Sequence, residues 1–229
     1  MKYAILLTLL GLSQIALTVL YHPGVYLSFL VVWSGIAWIL AGIAYTINAA
    51  WIFGKRPDGE MNWLYVAAFS PFLLVTWLLW HIQRILSKEA VHNEIAPGIW
   101  LGRRCYKNEL PPGVQTVVDL TSEFAEPHEI RRGRTYLCVP TLDAAAPSLT
   151  AFQSLLKSVS RSPEPVYVHC AKGHGRSAMV VIAVLMAKGI APSLAEAEQI
   201  VKQSRPAIGI SPAQQHLLES WSSTLSQPE

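Results

Sequence analysis

Cys170, Arg176 and Ser177 bracket a short glycine-containing segment in EPVYVHCAKGHGRSAMVVIAVLMAKG, and residues of these types at this spacing suit phosphoryl transfer through a thiol. A thiol that faces backbone amides, a helix N-terminus and a cation can ionise at neutral pH, which makes Cys170 a candidate nucleophile. Arg176 offers a planar fork for two phosphoryl oxygens, and its charge counts most as the transferring group sheds its leaving oxygen. A lysine lacks that geometry. Ser177 is placed to donate a hydrogen bond to the thiolate, easing its departure when a thiophosphate is hydrolysed. His169 is expected to orient the loop rather than act as a base.

The flanking residues say how such groups would be held. Val166, Tyr167 and Val168 favour an extended strand, whereas Ser177 to Lys188 is too long for a typical strand and stops at Gly189, as a helix with a glycine C-cap does. The chain must therefore turn between residues 171 and 176. Gly173 and Gly175 allow successive N–H groups to curl inward, so that Ala171, Lys172, Gly173, His174, Gly175 and Arg176 form an anion cradle at a helix N-terminus. A buried strand-end cysteine beside an unrelated surface arginine would not require the strand, glycines, arginine, hydroxyl and helix in this order.

The segment HCAKGHGRS resembles the signature of the cysteine-dependent protein tyrosine phosphatase superfamily, and the domain around it resembles the dual-specificity branch over residues 92–222. The resemblance implies an α/β fold with a central sheet flanked by helices. EIAPGIWLG is similar to the opening strands of such domains, GVQTVVDLTSE to the strand that follows, and SRPAIGISPAQQHLLESW to a closing pair of helices. Ser211 and Pro212 suit an N-cap and a first helical residue. The resemblance also implies a general acid, since a thiolate cannot protonate a leaving alkoxide or phenoxide. An aspartate on a loop upstream of the cysteine has this role in the family, and Asp143 in YLCVPTLDAAAPS fits, before a helix beginning near Ser148. Asp119, Glu123 and Glu126 are its rivals. His174 occupies a loop position that varies in the family, and with Lys172 it favours a highly anionic substrate.

Composition changes abruptly near residue 90. Residues 1–90 hold five Lys or Arg and three acidic residues, whereas residues 91–229 hold thirteen and twelve. Long uncharged apolar runs at 4–20, 25–53 and 63–80 are close to the ~20 residues that cross a bilayer, and six of the eight tryptophans lie in this half. The expected organisation is an all-α transmembrane segment, 1–90, followed by a catalytic domain, 91–229. A cleaved signal sequence is the alternative for the first run, but no small-residue cleavage pattern stands near Tyr21. Basic residues are nearly balanced between the two sides of a three-span arrangement, so charge does not set the orientation. The apolar runs imply an integral membrane protein, and a low-pKa thiol and the lack of a disulfide framework favour a cytoplasmic catalytic domain.

The expected partners are the membrane and either a phosphoprotein or an anionic phospholipid substrate. The resemblance implies a shallow pocket accepting phosphoserine, phosphothreonine and phosphotyrosine, while membrane tethering raises a phosphatidylglycerophosphate or phosphoinositide substrate. A non-catalytic phosphate-binding scaffold is the third reading, and Cys170, Arg176 and a candidate acid together weigh against it. No cofactor is called for. His22, His81, His92, His128 and His216 are scattered without metal-ligand spacing, so no metal is expected. A net charge of +3 without a basic, aromatic-rich stripe argues against nucleic acid. Cys138, in the segment leading to Asp143, is a possible disulfide partner for Cys170, although a buried structural cysteine is the plainer reading.

Overall fold

The computed structural model describes residues 2–225, which divide into two compact units. The first holds the residues up to Arg56, Glu60–Ser87 and Ser122–Phe124, and the second holds Pro57–Gly59, Lys88–Thr121 and Ala125 onward.

The first unit is built on α1 (Lys2–Tyr21), α2 (Val25–Ile47) and α3 (Trp63–Leu86), each long and apolar enough to cross a membrane. Large apolar side chains such as Leu6, Leu20, Tyr26 and Phe29 point outward. Small residues bring α1 against α2. A Cβ on Gly35 would lie 2.8 Å from the Gly11 carbonyl oxygen, and one on Gly42 would lie 2.9 Å from that of Ala4.

Two boundaries differ from the apolar runs. The run at 25–53 is not one helix: α2 ends at Ile47, Asn48 turns left-handed with φ 54° and its N–H bonds Ala44 O, and a separate 3-10 turn covers Ala50–Phe53. Asparagine tolerates that conformation, and hydropathy does not register it. The third run extends beyond residue 80 to Leu86, because His81, Gln83 and Arg84 continue the helix although they end the apolar stretch. Pro71 lies within α3 without ending it.

The second unit is an α/β domain. Its elements are β1 (His92–Ala96), β2 (Ile99–Arg103), β3 (Thr116–Thr121), α4 (His128–Arg131), β4 (Thr135–Thr141), α5 (Leu149–Arg161), β5 (Val166–Cys170), α6 (Arg176–Ala187), α7 (Leu194–Ser204) and α8 (Pro212–Leu225). The sheet order is β1-β2-β5-β3-β4, with β1 antiparallel to β2 and the other pairs parallel. The central strand β5 is buried along its whole length, as the unbroken VYVHC run requires.

Alternation along β5 sorts its side chains between two cores. Val166, Val168 and Cys170 join Val118, Leu120, α5, α6 and α8 on one face, while Tyr167 joins Val117, Cys105 and Ile130 on the other. Helix α6 is buried on every side from Arg176 to Leu185, as its all-round apolar run Ala178–Leu185 requires. Its end matches expectation, with Gly189 left-handed (φ 68°) just beyond the helix.

SRPAIGISPAQQHLLESW holds one helix, α8, rather than two. Its partner α7 comes earlier and ends at Ser204, and residues 205–211 form a connecting turn that Pro206 helps to keep out of the helix.

Candidate active site

Cys170 ends the central parallel strand, where open α/β sheets place their ligand crevices. The chain then turns through residues 171–175 and enters α6 at Arg176. Gly173 has a φ of 77°, and a Cβ there would meet the Gly102 carbonyl oxygen at 2.5 Å and the Arg103 nitrogen at 2.7 Å. Both the backbone angle and the space therefore demand glycine. The Gly173 N–H donates to Cys170 Sγ at 3.2 Å, and Ser177 Oγ lies 3.2 Å from the same sulfur. The thiol thus has a backbone amide and a hydroxyl turned toward it at a helix N-terminus.

Arg176 is buried at 1% exposure, and its Nη1 donates to Thr141 O at 2.8 Å and to Leu120 O at 3.4 Å. These bonds fix the guanidinium against the C-terminal ends of β3 and β4. Its Nη2 lies 3.5 Å from Asp143 Oδ1. Of the other loop residues, Lys172 is exposed, while His174 is half-buried with Nε2 2.6 Å from Glu89 Oε2. The His174 ring is therefore engaged with Glu89.

Asp143 follows β4 on a turn that other elements hold. Ala144 adopts φ 56°, its carbonyl accepts from Ser211 Oγ at 2.8 Å, and Ala145 O accepts from Gln214 Nε2 at 3.0 Å. Ser211 and Gln214 also bond each other's backbone N–H, forming a capping box at the start of α8. Gln214 Oε1 would lie 3.0 Å from a Cβ on Gly175, so this buried amide reaches both the turn that carries Asp143 and the cysteine loop. The S-x-x-Q spacing of Ser211 and Gln214 is a visible sequence signal for the cap. Nothing local signals that the cap also grips the turn at residues 144–145.

The rival carboxylates are occupied elsewhere. Asp119 is fully buried, taking Thr121 N and Oγ1 at 2.8 Å on Oδ1 and the Tyr136 hydroxyl at 2.6 Å on Oδ2. Burial and the Asp119 charge push the Tyr136 hydroxyl pKa far up, so that it remains a donor. Glu123 Oε2 accepts from Ser122 N and Oγ, and Glu126 is buried 3.6 Å from Arg104 Nε. Asp143, 58% exposed, is the one of the four beside Arg176 and open to a ligand.

His169 points to the sheet face opposite Cys170. Its ring stacks on Tyr167 at 5.5 Å, and its Nε2 lies 3.7 Å from Glu126 Oε1 and 4.0 Å from Asp119 Oδ1. Sequence spacing gave no hint of this grouping of two carboxylates and an imidazole, whose donor atoms lie within 4.8 Å of one another. The Tyr136, Thr121 and Arg104 contacts make it a buried polar network beneath the strand that ends in Cys170.

The geometry separates the other two cysteines from Cys170. Cys138 pairs with Asp119, which pairs with His169, so two strand spacings, about 10 Å, lie between Cys138 and β5. A disulfide needs Cα atoms within about 7 Å. Cys105 lies in the opposite core, where burial pushes its thiol pKa up to about 12.

Residues 110–224 match the dual specificity phosphatase catalytic-domain family, and the chain belongs to that family. It is a cysteine-dependent phosphatase. Solved structures agree. Tk-PTP in its active form is 26% identical, with 58% of this chain and 97% of that one covered at a TM-score of 0.52. Human DUSP28 is 25% identical, with 61% and 97% covered at 0.51. PTPMT1 in complex with PI(5)P, 24% identical with 59% and 97% covered at 0.51, shares the fold. No curated protein matches the chain.

Proposed function

We propose that this chain is a membrane-anchored phosphomonoesterase of dual-specificity type, with phosphoproteins carrying phosphoserine, phosphothreonine or phosphotyrosine as substrates. The observation that carries the catalytic reading is the convergence on Cys170 Sγ of the Gly173 amide and the Ser177 hydroxyl, each at 3.2 Å, beside the Arg176–Asp143 pair. In the first step the Cys170 thiolate attacks phosphorus in line, forming the S–P bond as the P–O bond to the leaving group breaks. Asp143 gives its proton to the departing oxygen. Arg176 and the loop amides from Ala171 to Gly175 hold the non-bridging oxygens, where negative charge is greatest. In the second step Asp143 takes a proton from water as that water attacks phosphorus. The S–P bond breaks, Ser177 donates to the returning thiolate, and inorganic phosphate leaves. His169, on the far face of β5, supports the strand end.

The proposed organisation is a membrane segment over residues 1–90 and a catalytic domain from residue 91 onward, facing the cytoplasm. Three apolar helices with outward-facing Leu, Phe and Tyr side chains support the anchoring. The reducing cytosol preserves a reactive thiol.

A second reading, a phospholipid phosphatase, has its own support. Only Ser87–Val91 separate the end of α3 from β1, and a domain tethered so briefly to a membrane helix meets headgroups at high effective concentration. The fold it shares with PTPMT1 accommodates a phosphoinositide in that protein. Detergent-solubilised full-length protein assayed on phosphopeptides and on anionic phospholipids separates the two readings. Faster turnover of phosphopeptides is expected, and a large preference for the lipids would replace the first reading with the second. Cys170→Ser is expected to abolish turnover of either substrate, and retained turnover would overturn the role of Cys170.

A further inference from the structure

The peptide between Lys172 and Gly173 is held from both sides. Its carbonyl accepts from Arg205 Nη2 at 3.1 Å, and its N–H donates to Cys170 Sγ at 3.2 Å. A trans peptide is planar, with its C=O and N–H pointing in opposite directions, so fixing the carbonyl aims the amide. Arg205 Nε takes the next carbonyl, that of Gly173, at 2.9 Å and orients the following peptide in the same way. One guanidinium therefore holds two consecutive carbonyls of the cysteine loop outward, while the amide between them faces the thiol.

Arg205 is fixed in turn by residues just before and within β1. Its Nη1 donates to Ala90 O at 3.0 Å and to Asn93 Oδ1 at 2.8 Å, and its Nη2 lies 3.5 Å from Glu89 Oε2. The same Glu89 oxygen meets His174 Nε2, so the segment touches the loop directly as well as through Arg205. Arg205 is only 3% exposed, and burial lowers its pKa while the Glu89 charge opposes that shift. Glu89, Ala90 and Asn93 all precede the 110–224 stretch that matches the family.

We infer that Arg205, anchored by Glu89, Ala90 and Asn93, is a positioning residue that aims the loop amides at Cys170 and at the phosphoryl group bound there, making the segment between α3 and β1 part of the site's support. This rests on the reading of Cys170 as the nucleophile. Losing the anchor would let the Lys172–Gly173 peptide rotate, leaving the thiolate and a bound oxyanion with one donor fewer. The cysteine would remain in place but become less reactive.

The test uses detergent-solubilised full-length protein carrying Arg205→Lys, or Glu89→Ala together with Asn93→Ala. Two measurements are made: the pH profile of Cys170 alkylation by iodoacetamide, followed by mass spectrometry, and inhibition by orthovanadate. Arg205→Lys is expected to move the alkylation profile to higher pH and to weaken vanadate inhibition about tenfold, as for one lost charge-assisted hydrogen bond. The double variant is expected to move both in the same direction, with cooperative melting retained. Folded variants with wild-type profiles and wild-type vanadate inhibition would overturn the inference. Should Arg205→Lys fail to fold, the double variant decides by the same two measurements. Turnover retained by Cys170→Ser would instead overturn the nucleophile assignment, so the two failures are distinguishable.

Discussion

Arg176 Nη2 lies 3.5 Å from Asp143 Oδ1, yet the two side chains are 1% and 58% exposed. The guanidinium is fixed inside the domain while the carboxyl stays at its surface. Arg176 Nη1 also holds the carbonyl of Thr141, two residues before Asp143. One side chain at the start of α6 thus holds the end of β4 and reaches the turn that carries Asp143. A phosphoryl group held by the fork would sit beside the carboxyl that is proposed to protonate its leaving oxygen.

Asp143→Asn should slow turnover of alkyl phosphates and phosphopeptides by about 10²- to 10⁴-fold, the usual scale of general acid catalysis. Activated aryl phosphates, whose leaving groups need little protonation, should lose far less. A plot of rate against leaving-group pKa checks this, and equal losses across the series would assign the acid elsewhere.

Arg176→Lys keeps the charge but loses the planar fork. The rate should fall by about 10²- to 10³-fold, as for removal of a preorganised transition-state donor. The Thr141 and Leu120 carbonyls also lose their partner, which should cost about 1–3 kcal/mol in denaturant unfolding. Steady-state kinetics and unfolding curves measure the two effects separately.

Gly173→Ala meets both a left-handed φ and the Gly102 backbone, whereas Gly113→Ala meets a left-handed φ of 71° in open space. Gly113→Ala should therefore cost only the backbone strain, about 1–2 kcal/mol. Gly173→Ala should cost more and also remove activity, because the loop must shift away from Gly102. Thermal melts and turnover of the two variants, compared side by side, check the difference.

Cys105, with its thiol pKa pushed up to about 12 by burial, stays protonated and poorly reactive at neutral and mildly alkaline pH. Iodoacetamide at pH 8 should label Cys170 and leave Cys105 unlabelled until the protein is unfolded, as peptide mass spectrometry would show. Cys138 is too far from β5 to form a disulfide with Cys170. Recovery from peroxide should therefore require an added thiol, and Cys138→Ser should leave the recovery rate unchanged.

The cysteine loop was legible in the sequence because its chemistry is local. Cys170, Gly173, Arg176 and Ser177 lie within eight residues, and the Gly173 amide and the Ser177 hydroxyl of that stretch face the sulfur. The three apolar helices were legible for a similar reason, since span length and hydropathy are properties of a run, although the break after Ile47 was not. The resemblance supplied Asp143 as the proposed acid, and only the fold shows that Asp119 and Glu126 are buried and that Glu123 bonds Ser122. Arg205, Gln214 and Glu89 reach the site across tens of residues, the first two through hydrogen bonds to backbone carbonyls and Glu89 through its contacts with His174 and Arg205. A carbonyl belongs to every residue type, so its partner leaves no mark in the sequence, and only the assembled chain decides which side chain meets it.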